Sequence, residues 1–301
     1  MTTNSLPGTH ATTGANAAGL HQDAVRERIL LFGLSVPAIL LVVAIIGIPV
    51  GWLFWLSLFN DEGVLSTSNY TRMIEHKAYY RIFRTTFNVS FLTTIICVAI
   101  GYPFAYFLAQ LPQRWANIGL IAVLLPFWTS LLVRTYAWLV ILQRNGIIND
   151  TLISIGWIDE PLQLAHNLTG SLIGMVHILL PFFILPLFAS MRSIDTNFIR
   201  AAISLGSTPR GAFWRIFFIM SLPGFFAGTV LVFILALGTY VTPALLGGGK
   251  IQMLAQRIDS TIMLYSNWGA ASALGVVLLI LAFATIWIFN RAFGIDKLFM
   301  R

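Results

Sequence analysis

Long apolar stretches separated by short polar segments dominate the pattern of this 301-residue chain. About 20 consecutive apolar residues form a helix that crosses the hydrocarbon core of a bilayer. Six stretches reach that length, and they cover residues 29–59, 86–111, 115–142, 171–191, 222–246 and 269–293. The pattern therefore predicts an all-α polytopic membrane protein with six transmembrane helices.

The composition supports this prediction. Hydrophobic residues make up 57% of the chain and charged residues only 10%, whereas an ordinary soluble domain has about 25% charged residues. In a soluble protein the net charge of +7 would suggest a nucleic-acid partner. In a membrane protein it has another explanation, because lysine and arginine collect in cytoplasmic loops. We therefore expect contact with membrane lipid and none with nucleic acid.

The first 28 residues lack an apolar period and contain no lysine or arginine before Arg26. This composition predicts a flexible tail over residues 1–28. The apolar run that follows is too long for the core of a cleaved signal peptide and has no small-residue cleavage site, so we expect it to remain as the first span. Residues 29–301 would then form one six-span transmembrane domain.

The distribution of basic residues predicts the orientation. Six spans place both termini on one side, and cytoplasmic loops are enriched in lysine and arginine. With the N-terminus inside, the inner segments hold ten of these residues: Arg26, Arg28, Arg114, Arg192, Arg200, Arg210, Arg215, Arg291, Lys297 and Arg301. The outer loops hold seven: Arg72, Lys77, Arg81, Arg84, Arg144, Lys250 and Arg257. Both termini are therefore predicted to be cytoplasmic.

No catalytic, metal or cofactor site can be read from the sequence. A phosphate-binding loop needs Gly, four residues and then Gly-Lys-Ser/Thr. The nearest approach, at residues 244–251, lacks the first glycine and the hydroxyl residue. The five histidines are scattered and the single cysteine, Cys97, lies in an apolar run. We therefore expect a chain that is not an enzyme and binds no cofactor itself.

The predicted spans also carry few ionisable residues. No span contains aspartate or glutamate, and Arg134 is the one charged residue well within a span. Proton relays and voltage sensors require chains of such residues. A proton-driven pump or a voltage-gated channel is therefore disfavoured, and any energy that the protein uses must come from another source.

The loop over residues 192–221 is the most informative segment. Residues 200–205 form a short helical pattern that ends at Gly206, a residue type that readily takes the positive φ of a helix stop. Thr208 and Pro209 are a capping residue and a first-turn proline, so a second short helix is predicted to begin there. The pattern indicates a compact projection with a glycine elbow. An interfacial helix pair that merely connects two spans is the alternative.

This loop resembles the cytoplasmic loop of ATP-binding-cassette (ABC) importer permeases. The family pattern is Glu-Ala-Ala, three residues, Gly, nine residues, Ile, one residue and Leu-Pro. Four residues fall at matching positions: Ala201, Ala202, Gly206 and Ile216. Two positions depart from the pattern, because Arg200 replaces the glutamate and Phe218-Ile219 replaces Leu-Pro.

Other segments resemble the spermidine/putrescine-type permeases of the same family. They are PFWTSLLVRTYAW at residues 126–138, the pairs Asn69-Tyr70 and Arg84-Thr85, and TPALLGG at residues 242–248. The resemblance extends from about residue 65 to the end of the chain. It implies a type I ABC importer permease fold with six spans and cytoplasmic coupling helices, in the inner membrane of a bacterium.

The resemblance also implies partners. They are a second permease subunit, two ATPase subunits that hold ATP and Mg²⁺, and an extracytoplasmic solute-binding protein. The loop would insert into a groove of an ATPase and receive the force of its closure. The residues implied in this coupling are Arg200, Ala201, Ala202, Gly206, Pro209 and Ile216.

Polar interruptions of the spans are candidates for the substrate path. Residues 238–243 interrupt the fifth span, and such breaks are tolerated at membrane depth only where protein or a water-filled cavity satisfies the backbone. The candidate path residues are Tyr102, Trp138, Thr239, Tyr240 and Thr242. Simple helix packing is the alternative role for each of them.

Two roles are open for Arg134. Backbone carbonyl groups and the face of Trp138, one turn along the helix, would hold it as a structural crosslink. Alternatively, it would contact an anionic group of the substrate. The first role makes Arg134 a structural charge inside the helix bundle.

The resemblance favours a polyamine such as spermidine or putrescine as the cargo. A site for such cations normally offers carboxylates or an aromatic box, yet no span carries a carboxylate. Either the partner permease or the binding protein supplies the acids, or the cargo is another small organic solute such as an amino acid. A secondary carrier is a further alternative, although the two repeat halves typical of carriers are not visible.

Overall fold

The computed structural model describes residues 11–60 and 63–293. Within these ranges the chain is helical apart from turns and short connections, and no β-strand is formed. The α-helices are α1 (Ala11–Ser57), α2 (Ser68–Glu75), α3 (Lys77–Gln110), α4 (Gln113–Leu124), α5 (Leu131–Ile141), α6 (Ile147–Ser154), α7 (Leu168–Arg192), α8 (Thr196–Ser204), α9 (Pro209–Ala212), α10 (Phe218–Leu237), α11 (Val241–Leu246), α12 (Leu254–Met263) and α13 (Trp268–Phe293). The predicted all-α class is confirmed.

Five of the predicted spans correspond to helical segments that are long and apolar enough to cross a membrane. These segments are Ser35–Ser57 in α1, Lys77–Gln110 in α3, Leu168–Arg192 in α7, the continuous run Pro209–Leu237, and Trp268–Arg291 in α13. The remaining span is a pair of helices joined at a sharp bend. The described residues therefore confirm a polytopic helical membrane protein with up to six spans.

The chain divides into two compact units between Trp55 and Leu56. The first unit contains most of helix α1, which begins at Ala11 and so includes part of the tail predicted over residues 1–28. Alanine, the strongest helix former, recurs in this part of the sequence. Residues 1–10 lie outside the described residues, and the flexible cytoplasmic tail stays a prediction.

The third predicted span, over residues 115–142, is not one straight helix. Helix α4 continues as a 3₁₀ turn, Leu125–Trp128, and α5 follows at an angle of 97° to it. Pro126 has no N–H group and so cannot continue the α-helical hydrogen-bond pattern. Thr129 and Ser130 take extended backbone angles between the two helices. The third predicted span is therefore bent at this local break, a feature that its apolar run alone does not reveal.

The fifth span also differs from its predicted bounds of 222–246. Its helix begins at Pro209, passes through a π-helical turn at Phe213–Phe217 and ends at Leu237. The π-helical turn keeps the backbone hydrogen-bonded, so the helix continues without interruption from Pro209 to Leu237. The second short helix predicted in the loop over residues 192–221 is thus the first part of the span itself. After Gly238 the chain turns and resumes as α11.

Helix α7 is the centre of the second unit, with α3 and α10 packed against it. Phe183 in α7 is fully buried, and a Cβ atom added to Gly228 of α10 would lie 2.9 Å from its backbone oxygen. A Cβ atom added to Gly224 would lie 2.6 Å from the backbone oxygen of Pro186. These two glycines therefore allow α10 to approach α7 closely.

Arg192, at the end of α7, forms hydrogen bonds with the C-terminal end of α3. Its guanidinium group donates hydrogen bonds to the backbone oxygens of Ala109 and Leu111, at 2.9 and 3.0 Å. It also donates to Oε1 of Gln113 at 2.7 Å. The last carbonyl groups of a helix lack partners within the helix, so Arg192 stabilises the end of α3. The loop after Arg192 therefore starts from a fixed position.

Candidate functional site

The loop after α7 turns sharply at Gly206, which has a φ of +91°. The N–H of Gly206 donates to the backbone oxygen of Ile203 at 2.9 Å, and the N–H of Ser207 donates to that of Ala202 at 3.0 Å. These bonds end helix α8. A Cβ atom added to Gly206 would meet nothing within 4 Å, so the glycine is needed for its backbone angle and not for space.

Both helices beside this elbow begin with a side-chain cap. Asp195 accepts a hydrogen bond from the N–H of Asn197 at 2.9 Å at the start of α8. Thr208 accepts one from the N–H of Gly211 at 3.1 Å, and Pro209 occupies the first turn of α9. Such caps satisfy backbone donors that have no partner within a helix. The elbow is therefore a defined structure between two capped helices.

The predicted coupling residues lie around the elbow. Arg200, Ala201, Gly206 and Pro209 are exposed, and Ala202 and Ile216 are half-buried. Three large apolar side chains in α8 or directly after it are also exposed: Phe198, Ile203 and Leu205, the last with 89% of its surface accessible. We call these three residues the elbow surface. Exposed apolar groups among polar neighbours are typical of a protein–protein contact.

The fifth span ends at a break that contains two of the predicted path residues. Thr239 donates a hydrogen bond from Oγ1 to the backbone oxygen of Leu235 at 2.9 Å, which satisfies one carbonyl at the end of α10. The hydroxyl of Tyr240 donates to Oδ2 of Asp259 in α12 at 2.9 Å. This hydrogen bond raises the pKa of Tyr240 above its usual value. The break thus carries a phenol held against a carboxylate.

Asp259 is a candidate that the sequence reasoning missed. The sequence places it in an outer loop, away from the interrupted fifth span. In the structure, α12 packs against α13 and α3, and the carboxylate of Asp259 lies next to Tyr240. No local pattern encodes this arrangement, because it depends on contacts between residues that are far apart in the chain.

Thr242, in contrast, is fully buried. Helix α11 packs against α5 and α7, and a Cβ atom added to Gly174 of α7 would lie 2.7 Å from Cγ2 of Thr242. The hydroxyl of Thr242 has no hydrogen-bond partner within the described part of the chain. In this conformation Thr242 therefore contributes to helix packing.

Trp138 and Arg134 share helix α5 but have different partners. The indole Nε1 of Trp138 donates to Nδ1 of His177 in α7 at 3.1 Å. Arg134 donates from Nη2 to the backbone oxygen of Thr129 at 3.2 Å, and its Cζ lies 5.7 Å from the centre of the Phe127 ring. The aromatic partner of Arg134 is thus Phe127 rather than Trp138, because the bend before α5 brings the 3₁₀ turn back to the arginine.

Tyr102 lies apart from the break in the fifth span. Its hydroxyl is 3.2 Å from Oγ of Ser221, and its ring contacts those of Phe218 and Phe225 in α10. Aromatic contacts of this kind stabilise packed helices. Tyr102 therefore belongs to the contact between α3 and α10 in this conformation.

The described residues offer two chemical features at these positions. At the break, a carboxylate and a phenol form a hydrogen-bonded pair that can bind a cation. At the elbow, apolar side chains of α8 and of Leu205 are exposed beside a hydrogen-bonded turn. Over residues 11–60 and 63–293, no three histidine, cysteine, aspartate or glutamate side chains are grouped to hold a metal ion.

Comparison with known proteins identifies the family through its relatives. No protein-family model matches the chain. Over 228 residues it is 33% identical to the spermidine/putrescine transport system permease protein PotB of Haemophilus influenzae. The matched segment covers 76% of this chain and 79% of that protein. It is 32% identical over 229 residues to PotB of Escherichia coli, and this match covers 76% of this chain and 83% of that protein.

Solved structures share the fold. A chain of a bacterial ABC transporter involved in the import of the acidic polysaccharide alginate matches with a TM-score of 0.70 and 14% identity. The match covers 90% of this chain and 97% of that chain. Identity at this level shows a common fold alone. From its relatives and its fold, this multi-pass inner-membrane protein belongs to the permease subunits of ABC importers, in the spermidine/putrescine-type family.

Proposed function

We propose that this permease imports polyamines. The observation that carries the proposal is the pair formed by Tyr240 and Asp259, 2.9 Å apart at the break in the fifth span. A carboxylate and an aromatic ring are the groups that bind an organic ammonium ion most favourably. The two relatives named as spermidine/putrescine permeases support the same cargo.

The carboxylate of Asp259 retains capacity for a cation. An ionised carboxylate offers about four lone-pair sites, and the hydroxyl of Tyr240 occupies one of them at Oδ2. The side chain of Tyr240 is 39% exposed, so cargo can reach it. We infer that an ammonium group binds the free oxygen of Asp259 while the methylene chain of the polyamine lies on the Tyr240 ring. The permease itself then supplies, through Asp259, an acidic group that binds the cargo.

The energy for transport is proposed to enter at the elbow. Two ATPase subunits with ATP and Mg²⁺ would serve this chain and a second permease, and one of them would bind the elbow surface. Gly206, with its positive φ, sets the shape of that contact. The continuous helix Pro209–Leu237 then leads from the elbow to the break beside Tyr240. Movement of the ATPase would thus reach the cargo site through one helix.

The proposed orientation places both termini and the elbow in the cytoplasm. It rests on the larger number of basic residues in the segments that would lie inside. The break in the fifth span and Asp259 would then lie toward the outer side. An extracytoplasmic solute-binding protein would deliver the cargo there.

Transport in proteoliposomes tests the proposal. The complete transporter is reconstituted with the second permease, the ATPases and the binding protein, and radiolabelled spermidine or putrescine is supplied outside. We expect uptake that requires ATP and that excess unlabelled polyamine abolishes. Uptake of an amino acid but of neither polyamine would contradict the proposed cargo, and uptake without ATP would indicate a secondary carrier.

A further inference from the structure

A groove with two connected parts runs between helices α3, α10 and α13. The larger part has a volume of about 510 Å³ and the smaller one about 320 Å³. Phe87, Phe233 and Thr285 line both parts, so the two parts are continuous. Tyr240, Asp259 and Gly206 do not line the groove, and its role is therefore separate from the cargo site and the elbow.

The larger part of the groove presents an apolar wall. Its lining includes Phe91, Ile95, Val98, Phe225, Ile288 and Phe289. Three threonines also line it, but their hydroxyls donate to backbone oxygens of their own helices: Thr94 to Ser90 at 2.8 Å, Thr229 to Phe225 at 2.7 Å, and Thr285 to Leu281 at 2.8 Å. Because these hydroxyls are already paired, the threonines add no free polar group to the wall. This part is suited to a hydrocarbon chain.

The smaller part carries the polar side chains. Tyr80, Arg84 and Asn88 line it. Arg84 is exposed, and no hydrogen bond, ion pair or ring contact joins it to another residue in the ranges that the structure describes. It lies two turns after the start of α3 at Lys77, and thus near one end of the span. The groove therefore has a cationic mouth and an apolar interior.

The groove is long enough for an acyl chain that crosses one leaflet of a bilayer. The distance along α3 from Arg84 to Ala99, the last residue of α3 that lines the groove, is about 22 Å at 1.5 Å per residue. Half of the hydrocarbon core of a bilayer is about 15 Å thick. A phosphate group at Arg84 would thus place an acyl chain along Phe91 and Ile95 as far as the bilayer centre.

We propose that the groove binds one anionic phospholipid, with its phosphate at Arg84 and an acyl chain in the apolar part. Charge complementarity favours this occupant over a hydrophobic helix, since a helix in the groove would leave the guanidinium group without an anion. The lipid would fill the space between α10 and α13. Because α10 belongs to the helix that joins the elbow to the break, the bound lipid would stabilise the position of that helix.

Native mass spectrometry of the purified, delipidated transporter complex tests this proposal. The complex is titrated with dioleoylphosphatidylglycerol, with dioleoylglycerol, which has no phosphate, and with inorganic phosphate, which has no acyl chain. We expect one phosphatidylglycerol molecule to bind per copy of this chain, dioleoylglycerol to compete with it about fivefold more weakly than unlabelled phosphatidylglycerol does, and inorganic phosphate not to compete. Displacement of the lipid by inorganic phosphate would overturn the proposal, because it would indicate a site for free anions.

Matched variants locate the site. Arg84→Gln is expected to weaken phosphatidylglycerol binding about fivefold, as for one basic group at a membrane surface. Arg81→Gln removes an exposed arginine one turn earlier that does not line the groove, and it is expected to leave binding unchanged. Equal binding by these two variants would overturn the proposal.

A second pair of experiments tests the apolar part. Ala99 is exposed and lines the larger part, so Ala99→Trp is expected to fill it and abolish lipid binding while the complex stays assembled. Retained binding by Ala99→Trp would contradict a chain in the groove. Disulfide crosslinking of Ile95→Cys to cysteines placed in the second permease would also contradict it, because a protein helix would then occupy the groove.

Discussion

The hydroxyl of Tyr240 donates a 2.9 Å hydrogen bond to Oδ2 of Asp259, which joins the break in the fifth span to helix α12. The bond connects residues 19 positions apart in the chain. It places a carboxylate at the one point where the helix from the elbow ends. The roles of Tyr240 and Asp259 can be tested separately by substitution, because each side chain can lose its polar function and keep most of its shape.

Asp259→Asn is expected to lower ATP-dependent spermidine uptake about tenfold or more, because it removes the charge that the ammonium group of the cargo would bind. A hydrogen bond to a charged group contributes about 1.5–3 kcal/mol. The measurement is the initial rate of uptake in proteoliposomes, normalised to the amount of assembled complex. Asp150→Asn is the matched control, since Asp150 is an exposed aspartate in α6. An equal loss in both variants would contradict a specific role for Asp259.

Tyr240→Phe is expected to slow uptake about fivefold, because it removes the hydrogen bond but keeps the ring. The pKa of Tyr240 is raised by Asp259, so the phenol stays protonated and the bond stays intact until the pH rises above that pKa. The ratio of wild-type to Tyr240→Phe uptake is therefore expected to be constant between about pH 6 and about pH 8, well below the usual tyrosine pKa of about 10. A ratio that changes over this range would show that the phenol is not the group involved.

Gly206→Val is expected to uncouple ATP hydrolysis from transport while the protein remains in the membrane. Valine at a φ of +91° costs about 1–3 kcal/mol of backbone strain, which shifts the elbow surface. The measurement is the ATPase activity of the complex with and without the loaded binding protein; the stimulation is expected to disappear. Gly206→Asn is the control, because asparagine tolerates positive φ and is expected to retain most of the stimulation. Normal transport by Gly206→Val would refute the role of the elbow.

Gly224→Val is expected to destabilise the permease rather than to change its transport mechanism. The first atom of any side chain there would lie 2.6 Å from the backbone oxygen of Pro186, and backbone cannot move aside easily. We expect a loss of about 1–3 kcal/mol, visible as a lower melting temperature of the purified complex. Gly275→Val in α13 is the control, since an added Cβ atom meets nothing within 4 Å there. Similar melting of both variants would argue against the close contact of α10 with α7.

Arg134→Gln is expected to lower the melting temperature by a few degrees and to leave the KM for polyamine unchanged. The guanidinium group braces the bent third span through the backbone oxygen of Thr129 and the ring of Phe127. Arg144→Gln, which changes an exposed arginine, serves as the control. A raised KM with normal stability would instead favour contact between Arg134 and the cargo.

Local sequence signals were sufficient for the number of spans and for the elbow, although not for the bend of the third span or the bounds of the fifth. Apolar runs encode membrane helices because the bilayer requires about 20 apolar residues. Gly206 and Thr208 encode the elbow because a positive φ and a helix cap depend on single residue types. The bend at Pro126 also has a local signal, since proline ends or kinks a helix, but the surrounding apolar run obscured it.

The candidate cargo site could not be predicted in the same way. Asp259 belongs to a short helix whose position depends on its contacts with α13 and α3. The partner of Arg134 depends on the 97° angle between α4 and α5, which the order of residues does not reveal. Both results arise from contacts between separate helices, and only a three-dimensional structure supplies them.

The elbow and the break lie at the two ends of the continuous helix Pro209–Leu237. A helix of 29 residues is about 43 Å long, so a tilt of roughly ten degrees about its elbow end displaces the other end by about 7 Å. That displacement exceeds the length of a hydrogen bond more than twofold. A small rotation near the ATPase would thus suffice to pull Tyr240 away from Asp259 and to release whatever the pair holds.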